Sequence, residues 1–165
     1  MAVTASVAAQ IMVGFLTAAE TGVNSVIAQL ALDTGVTLPP VASGQIVNQN
    51  VPAALADKAQ PVKYPAMYVY TDRVRNLLTE KFRSFSGKVR TVTEVRVSQD
   101  RIDGIEAQLR LYADAVTQVL DANRGSWGQG AFYAGGYDVN FEAVQQGGQN
   151  LIQVAKVSFE VDFSE

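Results

Sequence analysis

Chemistry in this chain must come from carboxylates, hydroxyls or a glycine-rich run, because it contains no histidine and no cysteine. That removes the imidazole base of a Ser-His-Asp triad, a cysteine nucleophile and every thiolate or imidazole metal site. Carboxylates alone can hold a hard cation, yet no DxDxDG-like run appears. Asp100, Asp103 and Glu106 stand at helical spacing near a helix start. Capping and pairing with the helix dipole explain acids there better than general acid–base work. Ser84, Ser86 and Ser126 have no base in any recognisable motif. No catalytic, cofactor-binding or metal-ligating residue is therefore expected, and the chain reads as a non-enzyme.

The segment NRGSWGQGAFYAGGYDVNF (123–141) is the remaining candidate for a phosphate cradle. Gly128-Gln129-Gly130 is followed by Ala-Phe-Tyr, so Tyr133 stands where GxGxxG needs its third glycine. No Lys-Ser or Lys-Thr follows, and the run lies after a helix and before a strand, the reverse of the required order. It reads instead as a helix stop, a connector and the opening of a strand. Trp127, Phe132 and Tyr133 are costly to leave in water on such a segment. They either fold back on their own core or pack against an adjoining subunit, which makes all three subunit-contact candidates.

Hydrophobic residues make up 48% of the chain and charged residues 18%, a composition that folds and does not suit disorder. With 165 residues, one folding unit is expected. The net charge is −3, unevenly spread. The first 57 residues contain no Lys or Arg; residues 73–110 carry nine basic and five acidic side chains, and residues 111–165 two basic and seven acidic. Interspersed signs of this kind suit a solvated surface better than a nucleic-acid groove.

Residues 3–32 read as a helix with Val7, Ile11, Phe15, Val23, Ile27 and Leu30 on one stripe, weakened at Gly14 and Gly22. It lacks the basic start of a secretory signal, and polar Asn24, Ser25 and Gln29 interrupt any membrane-length run. Three units follow from composition: a helical arm (1–33), a Pro/Gly-rich connection (34–61) and an α+β domain (62–165). The connection is long enough to be an arm that crosses to another subunit. In the domain, strands are expected at 64–70, 89–97, 137–142 and 151–163. Residues 72–85 fit either a short helix or an irregular excursion. An amphipathic helix over about 102–122 carries Ile102, Ile105, Leu109, Tyr112, Val116 and Leu120, with Asp100 or Asp103 as its cap. The last strand is apolar on one face throughout and on the other only near Ile152 and Val154, so some element must cover that half. The expected fold is a mainly antiparallel sheet of about four strands with this helix on one face, plus the N-terminal helix.

The segments YPAMYVYTDRVR, VRTVTEVRVSQDRIDGIEAQLRLYADAVTQVL and GYDVNFEAVQQGGQNLIQVAKVSFEVDF, in that order, span Tyr64 to Phe163. Together they resemble the tail terminator proteins of tailed bacteriophages, also called tail completion or head–tail joining proteins. The likeness lies in a Pro-led strand, a strand running directly into an amphipathic helix, and a closing hairpin that starts at Gly-Tyr. The 34–61 connection and the 123–136 loop depart from that pattern, so no contact made by them carries over. The resemblance implies a structural virion protein, commonly a hexameric ring, at the head-proximal end of the tail. Such a ring stops tail-tube polymerisation and joins the tail to the neck. Its implied partners are copies of itself, a tail tube protein and a neck or head-completion protein, with a tail sheath protein as a further candidate. DNA would only pass through the lumen, and no membrane or cofactor is implied. Another neck adaptor, tube or baseplate component is the nearest alternative. A small-ligand or peptide-binding module that uses a sheet edge is the alternative from a different class.

Overall fold

The computed structural model describes residues 2–59 and 61–165. In chain order the elements are α1 (Ala2–Thr17), α2 (Val23–Thr34), a 3-10 turn (Ser43–Gln45), β1 (Ile46–Val47), α3 (Ala53–Ala59), β2 (Ala66–Asn76), β3 (Ser86–Gln99), α4 (Ile105–Ala122), β4 (Gly125–Gly128), β5 (Ala131–Tyr133), β6 (Asp138–Phe141), β7 (Gln145–Gln146) and β8 (Leu151–Ser164). The architecture is α+β, as expected, but the sheet has eight strands, not about four.

Its frame is the antiparallel pair β3–β8, in unbroken register from Ser86 opposite Ser164 to Gln99 opposite Leu151. β2 pairs antiparallel with the other edge of β3, and short β1 pairs parallel with β2 at Met67 and Tyr68. On its far side β8 takes β7, β6 and β5 in succession, and β4 closes a hairpin with β5. The four unexpected strands are only two to four residues long. Alternating hydrophobicity cannot mark such pieces; they are strands because a long neighbour offers them backbone partners.

Alternation does determine the faces of the long strands. Val89, Val95 and Val97 of β3, Met67 and Val69 of β2, and Ala155, Val157, Phe159, Val161 and Phe163 of β8 form one side of the main core. α1 lies over β2 and β3, α4 over β3 and β8, and α2 packs against α4. α4 buries Ile105, Leu109, Tyr112, Val116 and Leu120. Each such side chain taken fully out of water is worth roughly 1.5–3 kcal/mol.

Several expectations need correction. The N-terminal helix is two helices, broken at Gly22, one of the two glycines expected to weaken it. The chain turns at Gly22, whose N–H donates to Ala18 O at 3.1 Å and whose missing Cβ would otherwise lie 2.2 Å from that oxygen. α2 ends at Gly35, which takes the left-handed conformation (φ 71°) and donates to Ala31 O. α4 starts at Ile105 and not near 102, so Ile102 lies outside it and is exposed. Gly104 stands at its N-cap with no side-chain cap, so neither Asp100 nor Asp103 has that role. Residues 72–85 contain no helix: β2 runs on to Asn76 and an irregular loop follows.

The 34–61 connection is not an arm that leaves the domain; it is tied to its own fold. Asn24 of α2 donates to Val41 O at 2.7 Å and accepts from Val41 N at 2.8 Å. The Tyr112 hydroxyl donates to Pro39 O at 2.7 Å, and Gln45 Nε2 to Pro65 O at 2.9 Å. α3 then crosses the second face of the sheet, where Ala53 packs on Ile152 and Val154, and Ala56 on Ala66 and Tyr68. This supplies the cover that the start of β8 demands.

Candidate assembly surface

The glycine-rich segment forms the β4–β5 hairpin, turned through Gly128, Gln129 and Gly130, all at positive φ. Alternation along it separates the three aromatic candidates. Trp127 and Tyr133 point inward; Trp127 meets Phe15 at 5.0 Å, Tyr133 at 5.5 Å and Phe159 at 6.0 Å between ring centres. The indole N–H donates to Asn123 O and the Tyr133 hydroxyl to Gly136 O, so both polar ends are satisfied. Burial, assisted by the charge of Asp121, pushes the Tyr133 hydroxyl up to about 12. Both side chains are thus accounted for by their own core. Phe132, between them in alternation, faces outward and is half exposed.

Phe132 has apolar company. The loop after β2 exposes Leu77, Leu78 and Phe82, with Phe82 wholly in water. Leu77 and Phe132 line one cleft of about 330 Å³ with Gly130, Phe163, Lys88 and Asp162. The loop is held in place without a helix. Asn76 Oδ1 accepts from Leu78 N and Ser86 N, and Ser84 N and Phe85 N donate to Glu165 O. Leu78 (φ 49°) and Phe82 (φ 63°) take the left-handed conformation, which is uncommon for side chains of this size. Their exposure therefore accompanies backbone strain instead of relieving it. Sequence reasoning singled out Phe132 but not these residues, because 72–85 fits a short helix as well as the irregular excursion that forms.

The second polar constellation lies under α3. Arg96 is fully buried; its Nε donates to Glu94 Oε2 at 3.1 Å, and its Nη2 bonds Glu94 Oε2 and Val51 O. Tyr70 donates to Glu94 Oε1 at 3.0 Å, and Lys156 bridges Glu94 (3.4 Å) and Glu142 (3.0 Å). Burial, and then the Glu94 charge, raise the Tyr70 hydroxyl above its ordinary value. The hydrogen bond that Lys156 donates to Glu142 chiefly raises Lys156. This arrangement keeps Glu94 paired and holds the connection against the sheet through a backbone carbonyl. It offers no free nucleophile and no poised base. Alternation on β3 put Glu94 and Arg96 on an outward polar face, and nothing in the sequence marked them as buried.

The other candidates are quiet. Glu106 pairs with Arg110 at 3.2 Å, and Ser126 Oγ accepts from Gly128 N. Among the described residues, no group of three or more Asp or Glu side chains is placed to hold a metal ion. Nor is any described helix long and apolar enough to cross a membrane. No family model matches the sequence, and no curated protein matches it.

Proposed function

We propose that the chain is a structural subunit of a tailed-phage virion, one that assembles into a ring at the head-proximal end of the tail, ends tube growth and joins the tail to the neck. The observation that carries this reading is the apolar end of the sheet, where Leu77, Leu78, Phe82 and Phe132 stand in water. Apolar side chains grouped this way suit a protein–protein contact. The order of strand, helix and closing hairpin between Tyr64 and Phe163, which resembles the tail terminators, supplies the kind of assembly. Partners on this reading are further copies of the chain, a tube protein and a neck protein. DNA passes through the lumen without being held, in keeping with a net charge of −3.

A ligand-binding module is the weaker reading. One cleft of about 500 Å³ is lined by Arg90, Asp138, Asn140, Ser158 and Glu160 together with Tyr137, Val139 and Phe159, a more polar set than lines most small-molecule sites.

Electron microscopy of the purified protein is expected to show closed rings. Deleting its gene is expected to give tails of uncontrolled length that do not join heads. Normal-length tails already joined to heads in the deletion would overturn the proposal.

A further inference from the structure

Two open edge stretches of the sheet have opposite chemistry. One is the outer edge of β2 beyond Tyr68, the last residue that β1 covers. The other is the outer edge of β6, which pairs only with β8. Open edges of this kind are templates for another strand.

On β2, Arg73 lies opposite Arg90 and Arg75 opposite Lys88. Like charges directly across a sheet repel. Arg90 is relieved by Asp72 at 3.6 Å and Lys88 by Asp162 at 2.8 Å. Arg73 and Arg75 are exposed, and among the described residues neither has an ion-pair partner. On β6 the matching face carries Asp138 and Asn140, opposite Ser158 and Lys156, with Glu142 just beyond. Asp138 is exposed and likewise has no ion-pair partner among the described residues. The opposite, core-side face has Val74 on β2 and Val139 and Phe141 on β6, with Val74 and Val139 half buried and Phe141 exposed.

We infer that the β2 edge of one copy pairs antiparallel with the β6 edge of a second copy, so that the sheet runs on from subunit to subunit. β2 and β6 run in opposite directions within the sheet, so extending it with the same face outward brings them together antiparallel. That pairing sets Arg73 and Arg75 against Asp138 on one face, and Val74 against Val139 and Phe141 on the other. The same charges oppose β2 meeting β2, where arginines face each other, and β6 meeting β6, where acids do. Between these two edges only the head-to-tail arrangement is left, and that is the arrangement that closes into rings. Through Val157 and Thr93, Val139 aligns across the sheet with Val69. Pairing it with Val74 displaces each copy along the strands, which is the stagger a sheet needs to close on itself. The inference rests on the ring reading above and deepens it by naming its subunit contact.

The test uses two variants of the full chain. Arg73→Glu/Arg75→Glu makes both edges acidic, and Asp138→Lys/Asn140→Lys makes both edges basic. Each is expected to sediment as a monomer and to melt like the wild type. An equimolar mixture is expected to regain wild-type assemblies, with the two variants alternating. Should either variant fail to fold, salt titration of the wild type replaces it: at about 0.5 M salt exposed pairs are screened, and assembly is expected to weaken at least tenfold. Salt-independent assembly overturns the inference. Wild-type rings with variants that each still assemble alone overturn it and leave the ring reading standing, as does a folded mixture that stays monomeric. A wild type that is monomeric at every concentration overturns both. Rescue in the mixture, together with normal heads and tails when the gene is deleted, supports the inference and removes the tail reading.

Discussion

The Arg96 guanidinium carbon lies 3.7 Å from the centre of the Tyr68 ring, on the sheet face opposite the main core. The same side chain holds Glu94 and the carbonyl of Val51, so one buried cation joins β2, β3 and the connection that leads into α3. Removing one partner of a buried, hydrogen-bonded pair costs about 3–5 kcal/mol. Arg96→Met is therefore expected to lower the urea midpoint sharply and to loosen residues 48–59 to proteolysis before the rest of the chain. Lys156→Met, at the exposed end of the same network, should cost under about 1 kcal/mol. Equal losses in the two variants would contradict this account.

The aromatic hairpin separates stability from contact. Trp127→Ala empties a site between Phe15, Tyr133 and Phe159. Such truncations cost about 3–5 kcal/mol. Phe132→Ser, on the outward face, is expected to change stability by no more than about 0.5 kcal/mol. If the apolar end of the sheet is an assembly contact, Phe132→Ser combined with Phe82→Ser weakens association while the melting curve stays put. Thermal melts and sedimentation velocity on the same samples distinguish the two effects.

Alkali should destabilise the fold before acid chemistry matters. Burial pushes the Tyr112 hydroxyl up to about 12, and Tyr133 is raised to a similar value. The folded chain therefore keeps protons that the unfolded chain releases near 10. This contribution is complete below about pH 10 and is lost as the pH climbs towards 12. Hydrogen bonds donated to Asp162 and Glu142 raise Lys88 and Lys156, which shifts the balance the same way. Absorbance at the tyrosinate band should rise together with loss of far-ultraviolet circular dichroism. Tyr112→Phe should make the stability loss with pH less steep. Tyrosinate appearing well before unfolding would show that these hydroxyls are not protected.

Two glycines make a contrasting pair. A Cβ on Gly87 would lie 1.9 Å from Arg75 O, so Gly87→Ala must push β2 and β3 apart where the loop after β2 returns to the sheet. A marked fall in melting temperature is expected. Gly14, inside α1, has nothing within 4 Å of its added Cβ. Gly14→Ala should stabilise by about 0.5–1 kcal/mol through helix propensity.

Long strands and the amphipathic helix were legible because burial imposes a period on them. The stripe of α4 and the inward row of β8 are visible residue by residue. The demand at Ile152 and Val154 for a covering element was legible too, but not the identity of the cover. α3 is seven residues of mostly alanine, which carry no stripe of their own. The candidate site was half legible: composition on a glycine-rich segment marked Trp127, Phe132 and Tyr133 as a group, and only the hairpin's alternation divided them. Leu77, Leu78 and Phe82 stayed open between a short helix and an irregular excursion because their spacing suits either, and the hydrogen bonds made by Asn76, Ser86 and Glu165 shape that segment as a loop.

By itself, then, the sequence determined an α+β chain without histidine or cysteine chemistry, its two longest strands, its amphipathic helix and the direction each of them faces. Those properties follow from residue types and near-neighbour periods. Tertiary structure alone decided that the Pro-rich connection folds back as cover, that Arg96 and Glu94 are buried, and that β2 and β6 present open edge stretches of opposite charge. Each of these depends on pairing between residues far apart in the chain, and such pairing leaves no periodic mark on either segment.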